Sequence, residues 1–313
     1  MNSVFEFAWL ATQQVLVSSD ASAEDIKGYG SGFFLQYRNK FFFITADHVA
    51  HIDDFEEGLR LGKDDFLWVI NNKNSTKELA TALTPIGGLF SFDKIDIRDE
   101  LSFEIPDMQD VTFSILSNSF KIPFLTHEIR VPDLNFEVAA GKEKIILNSE
   151  CISELKESDY CLIEGCVKWD ITDGIRLERS NVIHFDLKFK EFDDEGCYIL
   201  SYPNKVVYQH WAGLSGGPVF NNAYQLIGMA IRVNENDDTI KVMPMKKITE
   251  LMDYAIKYED SISKVENSWK SHSTLTLLAT QDLPTFLYYM IDPLKSWCWG
   301  AILFYPFKNS RFS

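Results

Sequence analysis

Cysteine is scarce in this chain and oddly counted: five among 313 residues, Cys151, Cys161, Cys166, Cys197 and Cys298. An odd number without a tight spacing framework argues against a disulfide-stapled scaffold, so the thiols are read as reduced and the compartment as cytoplasmic. Cys161 and Cys166 have no second cluster to complete a ligand set, so neither a metal nor a cofactor is expected. Basic residues are also in deficit. Thirty Lys and Arg against 46 Asp and Glu give a formal charge of −16, which argues against nucleic acid or an anionic membrane as the main partner. No basic region precedes the apolar residues of MNSVFEFAWL, and Glu6 interrupts them, so this stretch is a poor signal peptide. Near the C-terminus the longest uncharged run, Ser296 to Phe307, has twelve residues, short of the roughly eighteen that span a bilayer, so no transmembrane segment is expected there. Internal repeats and low-complexity tracts are missing too.

Apolar residues are plentiful. They make up 46% of the chain, with 24 phenylalanines, enough core for two small domains of roughly a hundred residues each. Short alternating segments separated by polar turns dominate: Gln14 to Ser18, Phe33 to Leu35, Phe41 to Ile44, Phe66 to Asn71, Val182 to Lys188, Cys197 to Tyr202 and Thr239 to Pro244. Such segments predict strands of a sandwich or barrel rather than a βαβ fold. Tyr160 to Glu164 reads as a strand with Gly165 as the turn behind it, Ile175 to Glu178 as a separate strand, and Leu83 to Phe92, which holds Pro85 and Gly87-Gly88, as a loop. From Met245 to Tyr258, Ile248, Leu251, Met252, Ala255 and Ile256 recur at helical spacing and predict a terminal amphipathic helix.

Two stretches carry chemistry. The first is Trp211 to Arg232, WAGLSGGPVFNNAYQLIGMAIR. Its Gly213-Leu214-Ser215-Gly216-Gly217-Pro218 turn is too small and glycine-rich for a packed helix or central strand, and it lets backbone approach a ligand closely. A serine there can present its hydroxyl while the amides of Gly213 and Ser215 converge on a developing oxyanion. A serine hydroxyl is a weak nucleophile, so the chemistry needs a histidine to take its proton and a carboxylate to fix that histidine's tautomer. Only six histidines are available. His48 follows the hairpin GYGSGFFLQYRNKFFFITADHV, whose small Thr45-Ala46 pair lets an imidazole leave the strand; His51 is the rival base.

At these two anchors the chain resembles the trypsin-like serine peptidases of chymotrypsin fold, in which a G-S-G-F strand pair runs into T-A-x-H and a G-x-S-G-G-P turn leads into an apolar-Gly strand. The resemblance implies an all-β chain of two six-stranded Greek-key β-barrels with a C-terminal helix. It implies His48 as base and Ser215 as nucleophile. It also implies an aspartate opening an apolar strand, for which Asp110 in DVTFSIL fits better than Asp96 in DIRDE. The oxyanion hole falls to Gly213 and Ser215. The substrate pocket falls between the segment around Tyr208, Gln209 and His210 and the strand carrying Ile231 and Arg232. Gln209 stands where an aspartate would select Lys or Arg, so such cleavage is not expected, and Arg232 is a rim residue that could meet an acidic side chain. Two departures stand out. Leu214 excludes activation by an N-terminal ion pair, and Ile231 replaces a serine that supports the aspartate in many relatives.

The domains expected are a first barrel in 1–120, a second barrel and helix in 121–262, and an aromatic-rich extension in 263–313 that is too short for the PDZ domain of a typical HtrA protein. It is the loss of ion-pair activation at Leu214 that places the chain nearer the intracellular or HtrA-like branch. That extension is read as a packed or oligomerising tail, with docking of an activating protein as the alternative. The resemblance implies a protein or peptide substrate; a narrow range is expected because broad proteolysis in the cytosol would damage the host, and soluble bacterial relatives suggest by analogy a defence or stress pathway. A peptidase-fold binding module without activity is the competing reading.

Overall fold

The computed structural model describes residues 2–21, 23, 25–59, 61, 65–70, 83–95, 107–117, 120, 129–131, 136–139, 141–172, 176–262, 274–280, 286–291 and 301–304. A helix α1 (Asn2–Ala11) leads into strands β1 (Thr12–Ser18), β2 (Ile26–Tyr37) and β3 (Lys40–Thr45), then two short helices α2 (Asp47–Ala50) and α3 (Ile52–Glu57). Strands β4 (Phe66–Ile70), β5 (Leu83–Ile86), β6 (Leu89–Ile95) and β7 (Asp107–Leu116) complete the first half. A small ladder of β8 (Ile129–Val131) and β9 (Phe136–Val138) and a strand β10 (Ile146–Asn148), parallel to β2, occupy the crossing. The second half contains β11 (Tyr160–Thr172), β12 (Arg176–Phe192), β13 (Tyr198–Ser201), β14 (Pro218–Asn221), β15 (Leu226–Asn234) and β16 (Thr239–Pro244), followed by helix α4 (Met245–Ile262).

The second half closes into a six-stranded antiparallel barrel in the order β11-β12-β13-β16-β15-β14. Taken as first to sixth strands, that is 1-2-3-6-5-4. The first half repeats the order: β4 pairs β1, then β2, β3, β7 and β6 follow as neighbours. Here, among the described residues, no pairing joins β4 or β5 to β6, so this sheet stays open where the other closes. Beyond β6 the same sheet continues through β17 (Thr274–Thr280), β18 (Phe286–Ile291) and β19 (Ala301–Phe304), with β17 parallel to β6. One closed barrel, one sheet of matching strand order and a terminal helix make the chymotrypsin-like architecture that the motifs imply. The matched orders are the internal duplication that residue identities conceal.

Packing explains why these segments are strands. Phe33, Leu35, Phe42, Ile44, Val111 and Phe113 are buried on β2, β3 and β7, and burying each large side chain contributes about 1.5–3 kcal/mol. A second cluster fills the closed barrel with Ile163, Leu187, Leu200, Val219, Ile227 and Val242. Helix α4 buries Ile248, Met252 and Ala255 completely, as its periodicity predicts. The N-terminal apolar residues form a helix that covers the second barrel: Phe7 packs edge-on against Phe220 at 5.1 Å and Tyr224 at 5.7 Å, so the element that precedes the first sheet is pinned to that barrel.

Three local expectations are corrected. Leu83 to Phe92 is not a loop, because β5 lies at the end of the path from β1 through β4, where Pro85 opposite Trp68 need not donate to an outer neighbour. Gly165 is not a turn, since β11 runs through it. A Cβ there would stand 2.5 Å from Leu214 Cδ2 and 2.6 Å from Ser31 Oγ, so the position is small because two segments press on it. The separate strands read before and after Val182 are one, β12, whose register against β11 shifts between Val167 and Asp170, opposite Ser180 and Glu178, where the two readings part.

Candidate active site

Strand β3 pairs with β7 so that Thr45 lies opposite Thr112. The chain then leaves β3 through Ala46, extended at φ −71° and ψ 143°, into the single turn of α2. This puts His48 beside the start of β7, where Asp110 stands. Asp110 holds the imidazole through both oxygens, with Nδ1 at 2.8 Å from Oδ1 and 2.9 Å from Oδ2, and Oδ1 also accepts the His48 backbone N–H at 3.1 Å. The Phe55 ring closes on the imidazole edge-on at 5.9 Å. A carboxylate can only accept, so Nδ1 carries the proton and Nε2 is left as the basic nitrogen. His51 sits three residues on but is buried, its Nδ1 2.7 Å from Asp47 Oδ1, which also accepts from Ser91 Oγ at 3.1 Å. Asp96 lies outside the described residues.

Ser215 is carried by the turn between the Tyr208–His210 single-turn helix and β14. Local bonds shape the turn: Leu214 N–H to Trp211 O at 3.0 Å, Gly217 N–H to Leu214 O at 2.9 Å, and Gly216 N–H to Ala230 O at 2.8 Å. Gly213 and Gly216 take φ of 101° and 85°, the region that favours glycine. The first half of the chain then clamps the turn from behind. Ser31 N–H donates to the Ser215 carbonyl at 2.8 Å, Ser31 Oγ donates to the Gly213 carbonyl at 2.7 Å, and Thr45 Oγ1 donates to the Ser31 carbonyl at 2.7 Å. Ser31 and Thr45 are fully buried. Among the described residues the N–H groups of Gly213 and Ser215 donate to no backbone carbonyl.

This clamp was not read from the sequence, because Gly30-Ser31-Gly32 shows only smallness and the bond to Gly213 spans the chain. Its removal has a definite cost. Ser31→Ala would leave a buried carbonyl without its donor, and we expect a loss of about 1–3 kcal/mol in urea unfolding. Ser31→Ala with unchanged stability would show that water or a rearranged turn replaces the hydroxyl.

His48, Gly213, Ser215, Ile231 and Arg232 line one cleft of about 410 Å³, together with Tyr29, Trp211 and Val233. Gln209 and His210 do not line it; both are exposed on the short helix, and the wall expected from them is given by Tyr208, Trp211 and Ala212. Behind that wall His184 stacks on Trp211 at 3.7 Å and 10° between planes. Its Nε2 lies 3.1 Å from the His210 carbonyl and its Nδ1 3.1 Å from the Tyr202 hydroxyl. Burial holds its pKa below the ordinary value, which suits a neutral ring donating through Nε2 and accepting through Nδ1. A wider depression of about 620 Å³ beside Tyr160, Lys188 and Tyr202 contains neither His48 nor Ser215.

Among the described residues, two buried thiols and one mixed cluster bear on thiol and metal chemistry. Burial pushes Cys161 up to about 12 and Cys197 up to about 11, so both stay protonated at neutral pH. Asp193, Glu195 and Cys197 lie within 4.8 Å of one another, but the Lys241 ammonium ion-pairs with both carboxylates. A cation already occupies that cluster.

No protein-family model matches the chain, and no curated protein matches it in sequence. Solved structures do. A serine endoprotease from Yersinia pestis is 14% identical with a TM-score of 0.43, over 82% of this chain and 66% of that one, so the chain spans just under two thirds of its length. The tobacco vein mottling virus protease is 11% identical with a TM-score of 0.37, over 75% of this chain and 76% of that one. A protease from M. tuberculosis in its active form is 12% identical with a TM-score of 0.37, over 80% and 82%.

Proposed function

We propose that the protein is a serine endopeptidase. Ser215 Oγ attacks the scissile carbonyl while His48 Nε2 takes its proton. Asp110 keeps the His48 proton on Nδ1 and stabilises the imidazolium as it forms. The N–H groups of Gly213 and Ser215 receive the oxyanion, and His48 returns the proton to the leaving amine. Water then enters, loses a proton to His48 and resolves the acyl-enzyme. No cofactor takes part in this scheme. The observation that carries the reading is the grip of Asp110 on His48 in the same cleft that Ser215 lines.

The cleft also suggests a substrate class. Ile163, Ala230, Ile231, Val233 and Ile240 are all apolar, and among the described residues no carboxylate lines the space. A small or medium apolar side chain fits such walls, and a lysine or arginine would bury its charge without a partner.

The test is covalent labelling. A fluorophosphonate probe should modify the folded chain at one site, mapped to Ser215 by peptide mass spectrometry, and leave urea-unfolded protein untouched. A folded chain that takes up no probe would end the hydrolase reading and leave a binding module of the same fold.

A further inference from the structure

We infer that the cleft selects peptides bearing an acidic side chain next to the apolar residue it encloses, and that Arg232 is the selecting group. This rests on the peptidase reading above and deepens it. Arg232 lies on β15 between Ile231, which is buried, and Val233. It is exposed, and it is the one lysine or arginine among the described residues that line the cleft, where no carboxylate answers it.

The acids closest to it in sequence are already engaged. Glu235 accepts the Tyr208 N–H at 2.6 Å, Asp237 accepts Asn234 Nδ2 at 2.9 Å, and Asp238 accepts the Val206 N–H at 2.8 Å while pairing with Lys205 at 3.1 Å. Lys241, opposite Arg232 on β16, is held by Asp193 and Glu195. Among the described residues the Arg232 side chain makes no ion pair and no hydrogen bond of its own. In a chain with 46 acids and 30 bases, a guanidinium left over at the mouth of an apolar groove is a charge for something that arrives. The overall charge of −16 would repel an acidic peptide at long range, so recognition of one needs a local cation. Guanidinium meets carboxylate through two parallel hydrogen bonds, and the apolar walls that a bound peptide covers reduce the screening of that pair.

The experiment uses one apolar-centred peptide with Asp, Asn or Lys at each position flanking the cleaved bond. kcat/KM is measured on the wild type, Arg232→Gln and Arg232→Glu, and binding of the same peptides is measured on Ser215→Ala and Ser215→Ala/Arg232→Glu. We expect Asp to exceed Asn about fivefold at one flanking position, in line with the value of a charge-assisted contact at a partly screened site. The preference should vanish in Arg232→Gln, turn to Lys in Arg232→Glu, and shrink as salt rises. Hydrolysis with no charge preference, or with one indifferent to Arg232, overturns the inference and leaves the peptidase reading standing. Absence of hydrolysis by the wild type, with binding to Ser215→Ala that still follows Arg232, supports the inference and removes the peptidase reading. Absence of both overturns both.

Discussion

Asp110→Asn should lower kcat by about 10⁴-fold while leaving the fold intact, the scale reached when a triad histidine is trapped in the wrong tautomer. The local geometry makes the trap hard to avoid. Asp110 Oδ1 faces two donors, the His48 backbone N–H and Nδ1–H, and Oδ2 faces Nδ1–H again. An asparagine offers one oxygen and one NH₂ group. If the oxygen stays with the backbone N–H, the NH₂ group comes to stand 2.9 Å from Nδ1. If the amide flips, the NH₂ group meets the backbone N–H and Nδ1–H together. In both arrangements the remaining oxygen can still accept from Nδ1–H, but the NH₂ group beside it sets donor against donor for as long as Nδ1 keeps its proton. Relief comes by moving that proton to Nε2, which leaves no basic nitrogen for Ser215. Steady-state kinetics and circular dichroism on purified Asp110→Asn would check this, and a loss of less than about tenfold, far below the wrong-tautomer scale, would mean that Asp110 does not set the tautomer.

The reach of sequence reading follows the range of the interactions involved. That His48 and Ser215 come to one cleft is legible because each stands among small residues, and Thr45-Ala46 and Gly216-Gly217 announce those turns within a few positions. Helix α4 is legible for the same reason, as its buried stripe of Ile248, Met252 and Ala255 repeats at one helical period. Failure begins where a residue answers to a distant neighbour. Gly165 looks like a turn until Ser31 and Leu214 are seen pressing on it. Pro85 and Gly88 punctuate Leu83 to Phe92 as a loop would, yet an edge position makes a proline in β5 harmless. His184 carries no local mark at all; its stack on Trp211 and its bond to the His210 carbonyl exist only once β12 lies beside the short helix. The misplacement of Gln209 and His210 has the same origin, for a count back from Ser215 locates residues along the turn but not the side of it that faces the cleft.

Among the glycines described, Gly216→Ala should be the most damaging substitution by alanine. Its φ of 85° already disfavours any side chain, at a cost of about 1–3 kcal/mol. The added Cβ would also lie 2.1 Å from the Ser31 carbonyl oxygen, 2.3 Å from Thr45 Oγ1 and 2.9 Å from the Ala46 N–H nitrogen. Two of these are backbone atoms, and all belong to β2, β3 or the residue that follows β3, in the half of the chain that clamps the Ser215 turn, so the clash can only be relieved by moving the two halves of the chain apart. Overpacking of this kind adds about 1–3 kcal/mol, and the separation would break the Ser31 bonds to Gly213 and Ser215. Gly58→Ala is the matched control: φ is 70° at the end of α3 and nothing lies within 4 Å of the new Cβ, so it carries the backbone cost alone. We expect Gly58→Ala to lose about 1 kcal/mol and to label at Ser215 as the wild type does. Gly216→Ala should lose several-fold more stability and all probe labelling. If the two variants melt together and label alike, the interface does not hold the nucleophile turn, and the clamp of Ser31 and Thr45 has no part in arranging the site.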